Sequence, residues 1–265
     1  MEVFKIINLN DSNRHNRKFK IANKLRDHYK ELEELNNDFR NNNLYSLLTN
    51  YLKGVSLLDI GCGPGHFLYS ADKNGYDVLG VESDDQLISL GRKLYPIANL
   101  RILNESAEKL NLDQEFDNIA LIDVLEHIQN DKQILIKLKN NLSKAGQMII
   151  VVPAHPLLYG IRDRSIGHYR RYTKRQIYEL IKECGMEPLK IRHWNALGFI
   201  PYFISEKVLH KPLKANFRDR REQSGIKATF AKMLNFWFKA VENKFDFRFG
   251  LSLIVLAEAE NSFSK

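Results

Sequence analysis

Three glycines at alternating positions, Gly61, Gly63 and Gly65, open a loop directly behind the apolar run Val55 to Ile60, and Asp59 lies inside that run. Glycine lets the backbone turn sharply and lets a ligand approach the main chain with no Cβ in the way. A loop that seats pyrophosphate on a helix N-terminus needs G-x-G-x-x-G. Here the third glycine comes one residue early and His66 occupies the place of that last glycine, so the spacing D-x-G-x-G-x-G argues against a dinucleotide. A second group, Asp123, Glu126 and His127, closes another apolar run. A third stretch, VPAHPLLYGIRDRSIGHYRRYT, gathers His155, Tyr159, His168, Tyr169, Arg170, Arg171 and Tyr172. Its arginine forks suit a phosphate or carboxylate. The alternative is a solvated loop whose arginines pair with nearby acids or cap the helix starting near Thr173.

Taken in order, LLDIGCGPGHF, VLGVES, NESAEKL and FDNIALIDVLEHI resemble the successive motifs of class I S-adenosylmethionine-dependent methyltransferases. The resemblance runs over roughly residues 55–194 and the last strand. S-adenosylmethionine carries no phosphate and needs an acid for its ammonium group, not a helix dipole for an anion. The resemblance implies that Asp59, Gly61, Gly63, Gly65 and Asp123 line the cofactor and that Glu82 accepts hydrogen bonds from both ribose hydroxyls. It also implies that Ala107 offers its backbone to the adenine. Ser106 stands where an aspartate is usual, and its hydroxyl still accepts a hydrogen bond.

The methyl on a sulfonium is already activated, so such an enzyme mainly aligns the acceptor and excludes water. A base is needed only where the acceptor loses a proton. His127 is the candidate, because it follows the strand whose end faces the methyl group and its imidazole titrates near neutrality. Capping the next helix or packing under the cofactor is the other reading of His127. The run GHYRRYTKRQI resembles a segment found in a subgroup of these enzymes, which makes His168, Tyr169, Arg170 and Arg171 candidates for holding the acceptor.

The elements that must position these groups follow from periodicity. Short apolar runs, taken as strands, cover 55–60, 77–81, 100–104, 118–123, 148–152, 188–194 and 251–257. Amphipathic stretches, taken as helices, cover 64–73, 85–94, 132–142 and 174–184. This alternation predicts a Rossmann-like, doubly wound α/β domain with a mostly parallel seven-stranded sheet and ligands at the carboxyl ends of its strands. Residues 14–52 hold no Gly or Pro and read as two helices split near Asn41, Asn42 and Asn43. The expected organisation is one domain over 1–265, with the core sheet in 55–196 and 250–259 and a helical insertion in 197–249. In that insertion Ile226, Phe230, Met233, Leu234, Trp237, Phe238, Val241 and Phe245 recur at helical spacing among lysines.

The net charge of +8 is regional. From His155 to Arg175 six bases face one acid, net +5, and from Ser205 to Arg248 eleven face five, net +6, leaving the rest of the chain at −3. An anionic partner near those two segments is expected. The insertion packs on its own protein or, in the alternative, acts as a foot on an anionic membrane surface that admits a lipid-like acceptor. No Asn-Pro-Pro-Tyr run of the kind found in methyltransferases acting on the adenine amino group follows the fourth strand, and no cysteine stands there to attack a pyrimidine ring; a small-molecule or lipid-linked acceptor ranks first, and RNA second, since a basic face with Arg and Tyr also binds phosphates and stacks bases. A binding module that holds the cofactor without turnover is the third reading. Two cysteines far apart, Cys62 and Cys184, indicate no disulfide framework. With no signal-peptide core and no apolar stretch of membrane-span length, a cytoplasmic protein, in the alternative peripheral at a membrane, is expected. No metal site is expected.

Overall fold

The computed structural model describes residues 39–95, 101–210 and 226–260. Seven strands form one sheet: β1 (Ser56–Ile60), β2 (Asp77–Glu82), β3 (Arg101–Asn104), β4 (Phe116–Ile122), β5 (Leu142–Pro153), β6 (Met186–Trp194) and β7 (Ser252–Ala259). Their order is β3-β2-β1-β4-β5-β7-β6. Pairings are parallel as far as β5, while β7 runs antiparallel to both β5 and β6. The expected seven-stranded, mostly parallel architecture is therefore what the chain adopts.

The central strands are buried on both faces, as Leu57 to Ile60 and Met148 to Val152 show by their near-complete burial. Near-continuous apolar runs of this kind are what a sheet covered by helices on both sides requires. One apolar layer joins Leu58, Ile60, Leu121, Leu135, Ile150, Ile177 and Val255; the opposite layer joins Leu48, Leu57, Leu68, Ala120, Ile149, Trp194 and Phe238.

The covering helices are α1 (Phe39–Thr49), α2 (His66–Asp72), α3 (Asp85–Leu94), α4 (Asp131–Lys139), α5 (Ile161–Ile166), α6 (Lys174–Glu183), α7 (Phe199–Phe203) and α8 (Ile226–Trp237). The last two run on through wide turns at Ile204–Val208 and Phe238–Glu242. Side-chain caps fix several starts: Asp84 accepts from the Gln86 N–H, Asn130 from Gln133, and Thr173 forms a reciprocal box with Gln176.

One expectation is corrected at the N-terminal side. The break near Asn41 to Asn43 does not form, because α1 runs uninterrupted through all three. The buried Asn43 amide donates to the Phe39 carbonyl at 2.6 Å and to Asn235 Oδ1 at 2.8 Å, so it is satisfied inside the helix and across to α8. The helix expected before Phe39 lies outside the described residues. The described part of the insertion packs by aromatic contact and by hydrogen bonds: Phe238 meets Phe39 and Trp194 with ring centroids 6.0 and 5.1 Å apart, and the Ala196 N–H donates to Glu242 Oε1 at 3.0 Å.

Candidate functional site

The glycine loop leaves β1 with all three glycines at positive φ: Gly61 at 65°, Gly63 at 54° and Gly65 at 85°. The Gly61 and Cys62 N–H groups both donate to the Val81 carbonyl, which locks the loop to the end of β2. A Cβ on Gly61 would stand 2.6 Å from the Val124 side chain, so glycine is required for space as well as for conformation. Glu82, at the end of β2, is gripped from both sides by main chain. The Gly63 N–H donates to its Oε2 at 3.0 Å and the Asp84 N–H to its Oε1 at 2.9 Å. Burial outweighs those bonds and pushes its carboxyl above the usual range. Asp59 is fully enclosed in β1, and burial followed by the Glu82 charge raises its carboxyl well above the ordinary value.

Ser106 and Ala107 follow β3, where Asn104 is in register with Glu82. The Glu105 carboxylate accepts the Ser106 N–H at 2.9 Å, and Lys137 donates to the Ala107 and Glu108 carbonyls. Asp123 directly follows β4 at φ 54°, exposed, with its N–H donated to the Val151 carbonyl. The structure thus brings Asp59, the three glycines, Glu82, Ser106, Ala107 and Asp123 to the carboxyl edge of β1 to β4.

Beyond Asp123 a short turn, Leu125–His127, carries the remaining chemistry. Glu126 is 0% exposed and neither of its carboxylate oxygens has a hydrogen-bond partner. Burial first, then the Asp123 charge, raises its carboxyl well above normal. Burial, and then the neighbouring His168, bring the His127 imidazole down to about 4, so it stays neutral at pH 7. The two rings meet edge to face with centroids 4.6 Å apart. His168 Nε2 lies 3.7 Å from Glu126 Oε1, and its Nδ1 is 2.8 Å from Asp163 Oδ1.

Asp163 is the hub of this side. Its carboxylate accepts from Arg171 Nε at 2.9 and 3.0 Å, from the Gly160 N–H at 2.9 Å and from the Tyr202 hydroxyl at 3.3 Å. Burial pushes its carboxyl up, but the His168 and Arg171 bonds and charge win and hold it at about 2. Arg171 is buried and fully committed to Asp163, the Ala154 carbonyl and Tyr202. Arg170 is more open and bonds the Gln129 carbonyl and Asp131, each at 2.7 Å. Tyr169 is half exposed and its N–H donates to the Glu126 carbonyl at 2.8 Å.

Arg171 is therefore turned inward, while Arg170 stays partly exposed beside its two contacts. The motif reading passed over Asp163 and Tyr202. Asp163 was visible as the lone acid among six bases; nothing in the sequence marked Tyr202, which reaches the hub from α7. Glu206, further along the same insertion, accepts the Ile161 N–H at 2.9 Å and so fixes the start of α5.

Residues 13–191 match a family profile described as a methyltransferase domain. The chain is 26% identical over 183 residues to a protein named ubiquinone biosynthesis O-methyltransferase from Roseobacter denitrificans, a match covering 62% of this chain and 72% of that one. The mitochondrial protein of the same name from Schizosaccharomyces pombe is 29% identical over 114 residues, 41% of this chain and 42% of that one. Among solved structures, 1,6-didemethyltoxoflavin-N1-methyltransferase of Burkholderia thailandensis, determined with S-adenosylhomocysteine bound, superposes with TM-score 0.52 at 16% identity. That superposition covers 67% of this chain and 81% of that one, and is a likeness of fold.

Proposed function

The chain belongs to the class I S-adenosylmethionine-dependent methyltransferases, and from that premise we propose that it methylates a hydroxyl oxygen of a small acceptor with a lipid-like portion. The observation that carries the reading is the neutral imidazole of His127 at the end of β4, beside the glycine loop. Burial keeps that ring uncharged at neutral pH, so it has a lone pair with which to take a proton. A group this weakly basic suits a hydroxyl that is itself acidic, a phenol and not an aliphatic alcohol. The methyl then passes from the sulfonium to the oxygen, the sulfonium leaves as the thioether S-adenosylhomocysteine, and the hydroxyl proton is released. The names of the two relatives support oxygen as the acceptor atom.

On the cofactor side we assign Glu82 to the ribose hydroxyls, which its remaining lone pairs can accept. Asp59 and Asp123 supply negative charge towards the amino acid end, and Ser106 with Ala107 meets the adenine. On the acceptor side, Tyr169 offers an exposed ring. His168 and Arg171 position that loop through Asp163. The lipid-like part has an apolar reception in Ile200, Phe203, Ile204 and Phe249, all exposed on or beside the insertion. The basic insertion gives an acidic head group or membrane surface a counterpart. No helix among the described residues is long and apolar enough to cross a membrane. The internal commitment of Arg171 takes one of the two arginines away from an RNA phosphate.

The test is incubation with labelled cofactor and three acceptors: a polyhydroxylated phenol with a short prenyl tail, the same ring without the tail, and structured RNA. The expected result is an O-methylated phenol, faster with the tail. His127→Ala should lower kcat by roughly a hundredfold and leave S-adenosylhomocysteine affinity unchanged. Label in RNA, or on nitrogen, would overturn the reading.

A further inference from the structure

Away from the cofactor cleft, the outer side of α2 carries a surface cavity of about 210 Å³ walled by α1, α2 and the end of α3. Gly91 permits it: a Cβ there would stand 2.3 Å from the Pro64 carbonyl oxygen, so α3 runs close over the glycine loop and, one turn on, sets Tyr95 beside His66 and Tyr69. On the other side α1 is held to α2 by the Tyr45 and Phe67 rings, centroids 5.7 Å apart, and by the Thr49 and Ser70 hydroxyls at 3.4 Å. We propose that this cavity is a second ligand site, which takes a single-ring aromatic anion of the aryl carboxylate class. None of the residues assigned above to the cofactor or the acceptor lines it.

Charge selects the anion. Lys73 is the sole charged group of the lining, because burial holds His66 down to about 3 and so leaves it neutral at pH 7. No acid lines the cavity to offset that lysine, and among the described residues Lys73 has no ion pair. Its ammonium instead lies over the Tyr69 ring, 4.3 Å from the centroid. A cation left in this state at the mouth of a concave site gives a carboxylate a charge-assisted partner.

The hydrogen-bonding state of His66 and Tyr95 supplies a second donor. His66 is 7% exposed; its Nδ1 is bonded to the Tyr95 hydroxyl, and its Nε2 is enclosed with no partner. A neutral imidazole carries one N–H, and enclosed N–H groups without acceptors are rarer in proteins than enclosed lone pairs without donors. The proton is therefore assigned to Nδ1, which donates to the Tyr95 oxygen. That assignment leaves the Tyr95 O–H with no acceptor among the described residues, and burial keeps the phenol protonated by raising it above its ordinary value. An anion in the cavity satisfies it.

Shape and size select the ring. Tyr69 and Tyr95 are stacked with centroids 4.3 Å apart, and Tyr45 joins them in the lining from α1, so much of the wall is aromatic. A cavity of roughly 150 Å³ is enough to hold benzene. The volume here leaves room for one ring with a carboxylate beside it, and it is below the roughly 300 Å³ at which sites for larger ligands begin. The site does not rest on the O-methylation reading.

The experiment uses full-length protein saturated with S-adenosylhomocysteine and titrated with benzoate, followed by calorimetry and by NMR contacts from the benzoate ring to tyrosine rings. Benzoate should bind with a Kd of about 0.1–1 mM, the range open to so small a ligand. Benzyl alcohol and benzylamine should bind about tenfold more weakly or not at all. Tyr95→Phe, which keeps the ring and removes the hydroxyl, should weaken benzoate by about tenfold. Lys73→Gln should weaken it by about three- to tenfold, an effect that shrinks at high salt because Lys73 is exposed. Lys93→Gln, an exposed lysine outside the cavity, should change nothing. Near-UV circular dichroism and S-adenosylhomocysteine binding report the fold of each variant. Should Tyr95→Phe fail to fold, Lys73→Gln and the series of three ligands decide. Failure of benzoate to bind at about 10 mM, or binding of benzylamine as tight as that of benzoate, overturns the site. Benzoate binding that neither variant alters overturns it equally, because the ligand is then held elsewhere. Either failure leaves S-adenosylhomocysteine binding, and the methyltransferase reading with it, untouched.

Discussion

On the β1 to β3 side of the cleft, the groups that converge are mostly main chain: the Gly61 and Cys62 N–H groups on Val81, and the Gly63 and Asp84 N–H groups on Glu82. On the β4 to β5 side they are side chains drawn from distant segments: Glu126, His127, Asp163, His168 and Arg171, with Tyr202 arriving from α7. The first half keeps its geometry by backbone conformation and needs few particular side chains. The second half keeps its geometry by compensating buried charges against one another. Damage to the first should register in ligand binding, and damage to the second in stability and turnover.

The largest effect expected is on the cofactor half. With Glu82 on the ribose hydroxyls as proposed, Glu82→Ala would remove two charge-assisted hydrogen bonds, about 1.5–3 kcal/mol each, so S-adenosylhomocysteine affinity should fall by roughly a hundredfold to ten-thousandfold. Calorimetry measures this, and the melting temperature should move little. A large loss of stability with modest loss of affinity would break the contrast.

Arg171→Leu tests the other half. It leaves Asp163 buried without its main cationic partner, and breaking such a pair costs about 3–5 kcal/mol. Denaturant unfolding should show that loss, while S-adenosylhomocysteine affinity of the folded fraction stays near wild type. An unchanged midpoint would mean that His168 and Tyr202 suffice for Asp163.

Acid should sharpen the contrast further. His127 and His193 are held down to about 4, and His66 to about 3, chiefly by burial. Their folded values lie below the unfolded value near 6.5, so the unfolded chain takes up protons first. Their contribution to stability is complete above about pH 6.5 and is lost as pH falls from there towards 4. Asp163, at about 2, keeps its contribution through this window and loses it only below about 3.8. Asp59, Glu82 and Glu126, raised by burial, act with the opposite sign as pH falls, so comparison with a variant decides: between pH 7.5 and 4.5 His193→Gln should lose less melting temperature than the wild type. The same pH profile in wild type and His193→Gln would refute the assignment.

Arg170→Ala should do least. Its partners, Gln129 and Asp131, lie near the surface, and such pairs contribute about 0–1 kcal/mol. Stability and acceptor KM should stay within about twofold of wild type. A tenfold rise in KM would mean that Arg170 leaves Asp131 to hold the acceptor.

The same contrast explains what the sequence disclosed. β1, β2 and α3 could be read within a residue because their signals are local: an apolar run, an alternating glycine loop, and Asp84 two residues before Gln86. Glu82 and the glycines form their contacts within about twenty positions of one another. The acceptor half was legible only as ingredients. The charge run at residues 162–171 suggested arginines open to an anion, whereas burial turns Arg171 inward onto Asp163. Tyr202 meets Arg171 across 31 positions and Glu206 meets Ile161 across 45, and no periodicity encodes such pairings. The uninterrupted α1 hid for a similar reason. Three asparagines look like a break until Asn235, 192 positions away, takes up one amide.

The antiparallel strand β7 carries a consequence for the order of assembly. It lies between β5 and β6 and is the neighbour to which both are hydrogen-bonded on that side, although residues 252–259 are made some sixty residues after β6. A nascent chain stopped before residue 252 has β6 with no partner and the outer edge of β5 bare. Contacts this far apart in sequence close late and leave strand edges open meanwhile. During synthesis the cofactor half has all its strands while the acceptor half waits for the keystone, so the ribosome-bound chain should bind nucleoside before it can offer an acceptor anywhere to sit.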